Sequence, residues 1–336
     1  MKYIQLIGTQ RSGSNLLRLM LNQLDDIAAP HPPHILSTFL PVLDKYGNLK
    51  ISKNLNNLIL DVCKWIKLNP IKWENFNVSV DMIKSKLKNP SIFQVFSSIY
   101  EIYAEQSNSK VWICKSLTNM NYFDHIEREK LSPVYIYIYR DGRDVDISFK
   151  KAIVGPKHSY LLAKKWEEDQ TLCEKIKKNI SSSRFISVKY EDLILYPKKI
   201  LFHICKKIEV KYDDKALNYY KSKESKVSAS AGEMWSNLSK PILKNNSLKF
   251  IKGLNKEDLL IFESIAIKSL SRLGYNLLNP KRNLLTKFSD LDIERFKKIN
   301  SELKEHVIKN ANTTDLILRE PHENFKKKNL ASKLFN

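Results

Sequence analysis

Residues 2–21 read KYIQLIGTQRSGSNLLRLML. A β-branched and aromatic run from Tyr3 to Ile7 meets a turn bracketed by Gly8 and Gly13, after which apolar residues follow at helical spacing. The chain has only eight glycines, and two of them stand here. A strand entering a helix through such a turn exposes successive backbone N–H groups at the helix N-terminus, where the helix dipole also favours an anion. The stretch therefore predicts a cradle for phosphate or sulfate.

Three further runs read as strands: Val111 to Cys114, Val134 to Tyr139 and Phe185 to Val188, each followed by a segment of helical periodicity. Alternation of this kind predicts an α/β fold, a central parallel sheet flanked by helices on both faces. The run PVYIYIYR (133–140) is β-branched or aromatic at nearly every position, as a strand buried on both sides requires. Ligands in such sheets bind outside the carboxyl ends of the strands. Gly8 to Asn15, Lys115 and Arg140 all emerge there.

From about 45 to 130 the chain reads as a helical insertion, broken by Pro70 and Pro90 and carrying Trp65, Trp73, Phe93 and Tyr100, aromatics that suit either a core or an acceptor pocket. Lys256 to Leu273 predicts an amphipathic helix ending near Gly274. Residues 1–280 are expected to form the main domain. Residues 281–336 form a helical, basic extension that packs on it or mediates association, including self-association into an oligomer.

With 336 residues, 43% hydrophobic and 10% aromatic, the chain is globular rather than disordered. A formal charge of +21 suits phosphates, sulfates, nucleic acid or an anionic surface and does not choose among them. Cys63, Cys114, Cys173 and Cys205 include no CxxC pair, which argues against a zinc site or a disulfide scaffold. No basic-then-apolar leader opens the sequence, and nowhere do about 18 apolar residues follow one another. The expectation is a cytoplasmic protein with no membrane span.

The spacing Gly8-x-x-x-x-Gly13 begins like the nucleotide triphosphatase loop GxxxxGK[ST], but Ser14 and Asn15 follow in place of the Lys that reaches phosphates and the Ser/Thr that holds Mg²⁺. Arg11 instead sets a planar guanidinium inside the loop, able to grip a sulfonate without a metal. GTQRSGSNLLRLMLN (8–22) resembles the 5′-phosphosulfate loop of sulfotransferases that use 3′-phosphoadenosine 5′-phosphosulfate (PAPS). The family has a P-loop-like nucleotide-hydrolase architecture. The resemblance makes Gln10, Arg11, Ser12, Gly13, Ser14 and Asn15 candidate donor contacts, with PAPS as co-substrate, 3′,5′-bisphosphoadenosine (PAP) as product and no metal.

Other segments extend the resemblance. YRDGRDVDISFKK (139–151) is similar to the family's 3′-phosphate segment, in which an Arg ends a strand and a Ser follows eight residues later. Arg140 and Ser148 have that spacing. Arg143, by contrast, reads with Asp141 and Asp144 as part of a solvated helix start. WICKSL (112–117) sits where the family has a strand ending in Lys near the transferred sulfuryl group, which implies that Lys115 neutralises leaving-side charge. SVKYEDL (187–193) places Tyr190 near the nucleotide, and 240–259 resembles a phosphate-gripping loop with Lys249, Lys252 and Gly253 as contributors.

An alcohol or amine acceptor must lose a proton, so a base should lie within reach of it. Cytosolic members of the family use a His two residues after the strand-end Lys, where this chain has Leu117. Other branches carry an acidic base roughly twenty residues after the loop Arg, and APHPPHIL (29–36) puts His31 and His34 there, on a proline-stiffened turn. The expected activity is sulfuryl transfer to a small-molecule, lipid or saccharide acceptor. Its rivals are a P-loop nucleotide kinase and a basic protein that binds nucleic acid or an anionic surface. No nucleic-acid module is recognisable, so nucleic acid is not the expected partner.

Overall fold

A computed structural model describes residues 1–331; the last residues of the basic tail, 332–336, lie outside the described part. Five strands form one parallel sheet: β1 (Lys2–Ile7), β2 (Ile27–Ala28), β3 (Val111–Cys114), β4 (Val134–Tyr139) and β5 (Phe185–Lys189), in the order β2-β3-β1-β4-β5. Ile4 is in register with Ile113 on one side and with Val134 on the other, which makes β1 the centre. β4 lies between β1 and β5, the interior position its unbroken apolar run demands.

Alternate residues of the strands feed different cores. Tyr3 and Trp112 stack at 3.8 Å on one face, packed by helices α2 (Ser52–Lys67) and α3 (Ile92–Gln106) of the insertion. Ile4, Leu6, Ile113 and Ile136 face the other way, against α1 (Ser14–Leu21) and the later helix Pro197–Ile208. Each fully buried Leu or Ile contributes about 1.5–3 kcal/mol. Trp65, Trp73, Phe93 and Tyr100 all belong to the first core.

From β1 the chain reaches β3 on one flank, then crosses to β4 on the other. That reversal opens a crevice at the carboxyl ends of the central strands, where ligands of doubly wound sheets bind. Helix Gly142–Lys150 follows β4 and is braced from behind by Ser159–Asn179 and by Lys256–Arg272, whose cap residue Asn255 accepts from Asp258 N at 2.7 Å. The last of these helices ends before Gly274, in the left-handed region at φ +77°.

Arg143 is not at a solvated helix start. Its guanidinium is buried, 2.5 Å from Glu263 and 2.7 Å from Asp141, and lies 3.9 Å from the Phe250 ring centroid. The nearby acids are legible, but Glu263 arrives from a helix 120 residues away, and it turns a surface reading into a buried ion network.

Residues 290–309 form a helix capped by a reciprocal Ser289/Asp292 box, and Thr313–Phe325 forms the last α-helix. Phe325 is buried in the insertion's core, so this segment is packed on the rest of the protein. All four cysteines are free, three of them buried.

Candidate active site

The loop after β1 keeps its shape through its glycines. A Cβ on Gly8 (φ +128°) would stand 2.2 Å from the Ile138 carbonyl oxygen, and one on Gly13 (φ +88°) 2.3 Å from the Tyr190 ring. Arg11 is left-handed as well, at φ 72°. No side chain caps α1, so the N–H groups of its first turn are available to an external acceptor. Ser12 Oγ and Asn15 Oδ1 are buried and have no protein partner. A loop of this shape, with unspent donors, is suited to a multivalent anion.

Arg11 reaches across to α4, as Gly142–Lys150 is numbered in the series α1 to α3, donating from Nε to Ser148 Oγ at 2.9 Å and from Nη2 to the Met234 carbonyl at 2.9 Å. Arg140, at the end of β4, donates to the Arg11 carbonyl at 3.3 Å and to the Asn246 carbonyl at 2.8 Å. Its guanidinium sits 4.5 Å over the Tyr190 ring, and Tyr190 Oη accepts from Asn246 Nδ2 at 2.6 Å. Asp144 lies 3.5 Å from Arg140 and offsets part of its charge, while Arg140 Nε has no partner. Arg11, Arg140, Ser148 and Tyr190 are thus joined into one cluster.

That cluster lines a cavity of about 1440 Å³, which Gln10, Gly13, Ser14, Asn15, His31, His34, Lys115 and Lys249 also line. Ser12, Lys252 and Gly253 do not. A Cβ on Gly253 would meet Ile147 of α4, so this glycine permits close packing of backbone on helix. The proline-rich turn is pinned by its carbonyls: Trp73 Nε1 donates to His31 O at 2.7 Å and Trp65 Nε1 to Pro33 O at 2.5 Å. His31 presents its ring edgewise to Trp235 at 5.6 Å, and its Nδ1 is buried without a partner. Among the described residues no cluster of three or more His, Cys, Asp or Glu side chains is placed to hold a metal ion.

A family model described as the sulfotransferase family matches residues 4–214, more than half of the chain and inclusive of the loop, Lys115, Arg140, Ser148 and Tyr190. The chain belongs to the sulfotransferase family. Solved structures agree on the fold: the sulfotransferase domain of the Synechococcus PCC 7002 olefin synthase is 21% identical, with a TM-score of 0.57 over 82% of this chain and 95% of that one. The sulfotransferase domain from the curacin biosynthetic pathway is also 21% identical, with a TM-score of 0.58 over 82% of this chain and 98% of that one. A search of curated protein sequences found no match.

Electrostatics in this sulfotransferase are set by crowded cations. Burial, then Arg18 and Arg11, push the Lys115 ammonium down to about 7, and no carboxylate pairs with it among the described residues. Burial and Arg140 lower Arg11 to about 10, opposed in part by Tyr190. His31 is held well below the usual imidazole range by burial, then by Arg18, Lys115 and His34. Burial, Lys115, His322 and Lys326 bring His34 down to about 3. Both imidazoles are neutral at pH 7.

Several residues at the site carried no signal in the sequence. Met234 and Asn246 act through backbone carbonyls, which any residue type supplies, and Trp235 lies in a short 3-10 turn without periodicity. Arg18 resembles any helix residue, yet it is fully buried, donating to Ala29 O and to Glu224, both at 2.6 Å. A buried basic residue on the apolar face of α1 was the one available clue. Glu191 is structural: it accepts from Asp141 N at 3.1 Å and from Tyr275 Oη at 3.0 Å.

Proposed function

We propose that the chain transfers the sulfuryl group of PAPS to an acceptor hydroxyl, releasing PAP. The observation that carries this reading is the Arg11–Ser148–Arg140 cluster, which joins the loop after β1 to the helix after β4 without supplying a Lys and Ser/Thr pair for a metal-bound triphosphate. The unpartnered Asn15 Oδ1 and Arg140 Nε, both on residues that line the cavity, are a further acceptor and donor that a bisphosphorylated nucleoside would satisfy.

In this reading the first-turn amides of α1 and Arg11 hold the 5′-phosphosulfate, and Arg140, Ser148 and Lys249 hold the 3′-phosphate. Lys115 and Arg11 stabilise negative charge as the S–O bond to the departing phosphate breaks and the bond to the acceptor oxygen forms. His31 takes the acceptor's proton at its imidazole. The anionic donor offsets the field of Arg18 and Lys115, which raises the proton affinity of that ring when it is needed. His34 is the alternative base on the same turn. Residues 1–280 carry the reaction and 281–336 extend it. The free cysteines support a cytoplasmic setting.

Calorimetric titration of PAP against ATP·Mg²⁺ tests the donor. Binding of PAP that is unaffected by a chelator, with no ATP binding, is the expected result; tight ATP·Mg²⁺ binding without PAP binding would overturn the reading. Transfer from radiolabelled PAPS to a panel of phenols, long-chain alcohols and glycosides then tests the acceptor. His31→Ala should lower kcat about 10²–10⁴-fold while PAP affinity stays within a few-fold. Unchanged turnover would remove His31 as the base.

A further inference from the structure

The cavity, at about 1440 Å³, exceeds the roughly 300–1,000 Å³ pocket of a drug-sized ligand, which leaves space beside a bound nucleotide. Its lining is not electrically uniform. Around the loop, Arg11, Lys115, Lys151 and Lys249 line it without a carboxylate partner among the described residues. The helix Thr313–Phe325 lines the cavity as well, with Leu316, Arg319, Glu320 and Glu323, the i, i+3, i+4, i+7 spacing of one helical face.

Charges on that wall are neutralised locally. Arg319 Nε is 2.8 Å from Asp315, and Lys326 Nζ is 2.9 Å from Glu323. Glu320 adds a negative charge that disfavours an anionic guest. Beside these pairs stand the apolar Trp65, Leu316 and Leu330, with Pro32 from the proline-rich turn and Pro70 from the insertion. Leu316 keeps 40% of its surface exposed although it lines a cavity, so it is poised to meet a ligand rather than to fill the core.

The wall is anchored, not loosely apposed. The His322 ring stacks on Trp65 at 3.7 Å with 11° between planes, and His322 Nε2 lies 3.1 Å from the Trp65 carbonyl oxygen. Phe325 and Leu330 are buried in the insertion's core. Arg319 sits 5.7 Å over Trp235, the ring that faces His31. This helix lies beyond residues 4–214, the part matched by the family model.

We propose that Thr313–Phe325 and the turn after it form the specificity wall of the acceptor subsite, and that the acceptor presents its hydroxyl on an uncharged, extended apolar body. The proposal rests on the sulfuryl-transfer reading for the word acceptor, but the subsite itself is testable without turnover. Leu316 holds the apolar body, Glu320 turns away anions, and the hydroxyl end points toward His31 and the cationic loop.

The probe is a neutral naphthalene fluorophore, 6-propionyl-2-dimethylaminonaphthalene, titrated into the full chain saturated with PAP. The expected result is a blue-shifted, saturable signal that persists with PAP present, weakened at least tenfold in Leu316→Glu and within twofold in Leu316→Met, with PAP affinity unchanged in both. Equal fluorophore binding by Leu316→Glu overturns the proposal, as does expulsion of the fluorophore by PAP. In a second arm, kcat/KM for 1-decanol should fall at least tenfold in Leu316→Glu; a fall no larger than that for ethanol counts against the wall. Failure of PAP to bind would instead sink the donor reading and leave the fluorophore result standing.

Discussion

Arg11 holds two fixed partners, Ser148 and the Met234 carbonyl, on a residue whose own backbone is left-handed. A side chain so constrained has little ordering entropy left to lose when it meets an anion. Arg11→Ala is expected to lower single-turnover transfer from radiolabelled PAPS about 10²–10³-fold. Arg11→Lys should recover little of it, because a point charge cannot span two acceptors as the planar fork does. Lys115 gives a prediction in pH. Its ammonium is down at about 7 in the protein against 10.5 for an ordinary lysine, through burial first and then Arg18 and Arg11. The unfolded chain therefore binds the extra proton between these values, and stability attributable to this residue rises with pH across that window. Binding of an anion at the loop pulls the other way and raises the lysine's proton affinity. Titrating PAP at pH 8 in two buffers of different ionisation enthalpy should show proton uptake and an affinity that falls from pH 7 to pH 9. Lys115→Met should abolish the uptake, and no uptake in the native chain would remove Lys115 from the anion site. At this scale the sequence was legible in which side chains would meet: Arg11, Arg140 and Ser148, singled out by motif spacing, lie in one cluster. It was silent for Met234 and Asn246, whose carbonyls have no residue-type signature, and misleading for Arg143, whose buried partner Glu263 comes from a distant helix.

Between β1 and α1 the backbone passes so close to β4 that a single methyl group cannot be admitted. Gly8→Ala would force a Cβ against the Ile138 carbonyl oxygen at 2.2 Å and impose φ +128° on an L-residue. A loss of about 3 kcal/mol is expected, read as a lowered urea midpoint at unchanged m. A midpoint equal to that of the native chain would show that the loop has other room to move. The strands were easy to read because buried parallel strands are written as continuous β-branched and aromatic runs, and PVYIYIYR is the fullest case. β2 was not read: Ile27–Ala28 is two residues, below any periodicity, and it is a strand only because β3 lies beside it. Strand order was likewise hidden, since it depends on which distant segment pairs with which.

Across the whole molecule, the site draws on residues from Gln10 to Leu330, so it is complete only when nearly the entire chain has folded. Its charge is also unevenly spent. The net +21 spreads over the surface, while the cations that matter for the loop are those enclosed around one cavity. One short segment connects the two halves of that cavity. Met234 receives Arg11 through its carbonyl and touches Arg319 through its sulfur at 3.6 Å, while Trp235 stands between Arg319 and the His31 ring. An anion bonded to Arg11 therefore bears on the same segment that sets the far wall. The kinetic consequence is a compulsory order of addition, nucleotide before alcohol. Initial-rate patterns should then show decyl methyl ether, which has no hydroxyl to accept the group, competitive with 1-decanol and uncompetitive with PAPS, whereas noncompetitive inhibition against PAPS would mean that the Met234 link transmits nothing.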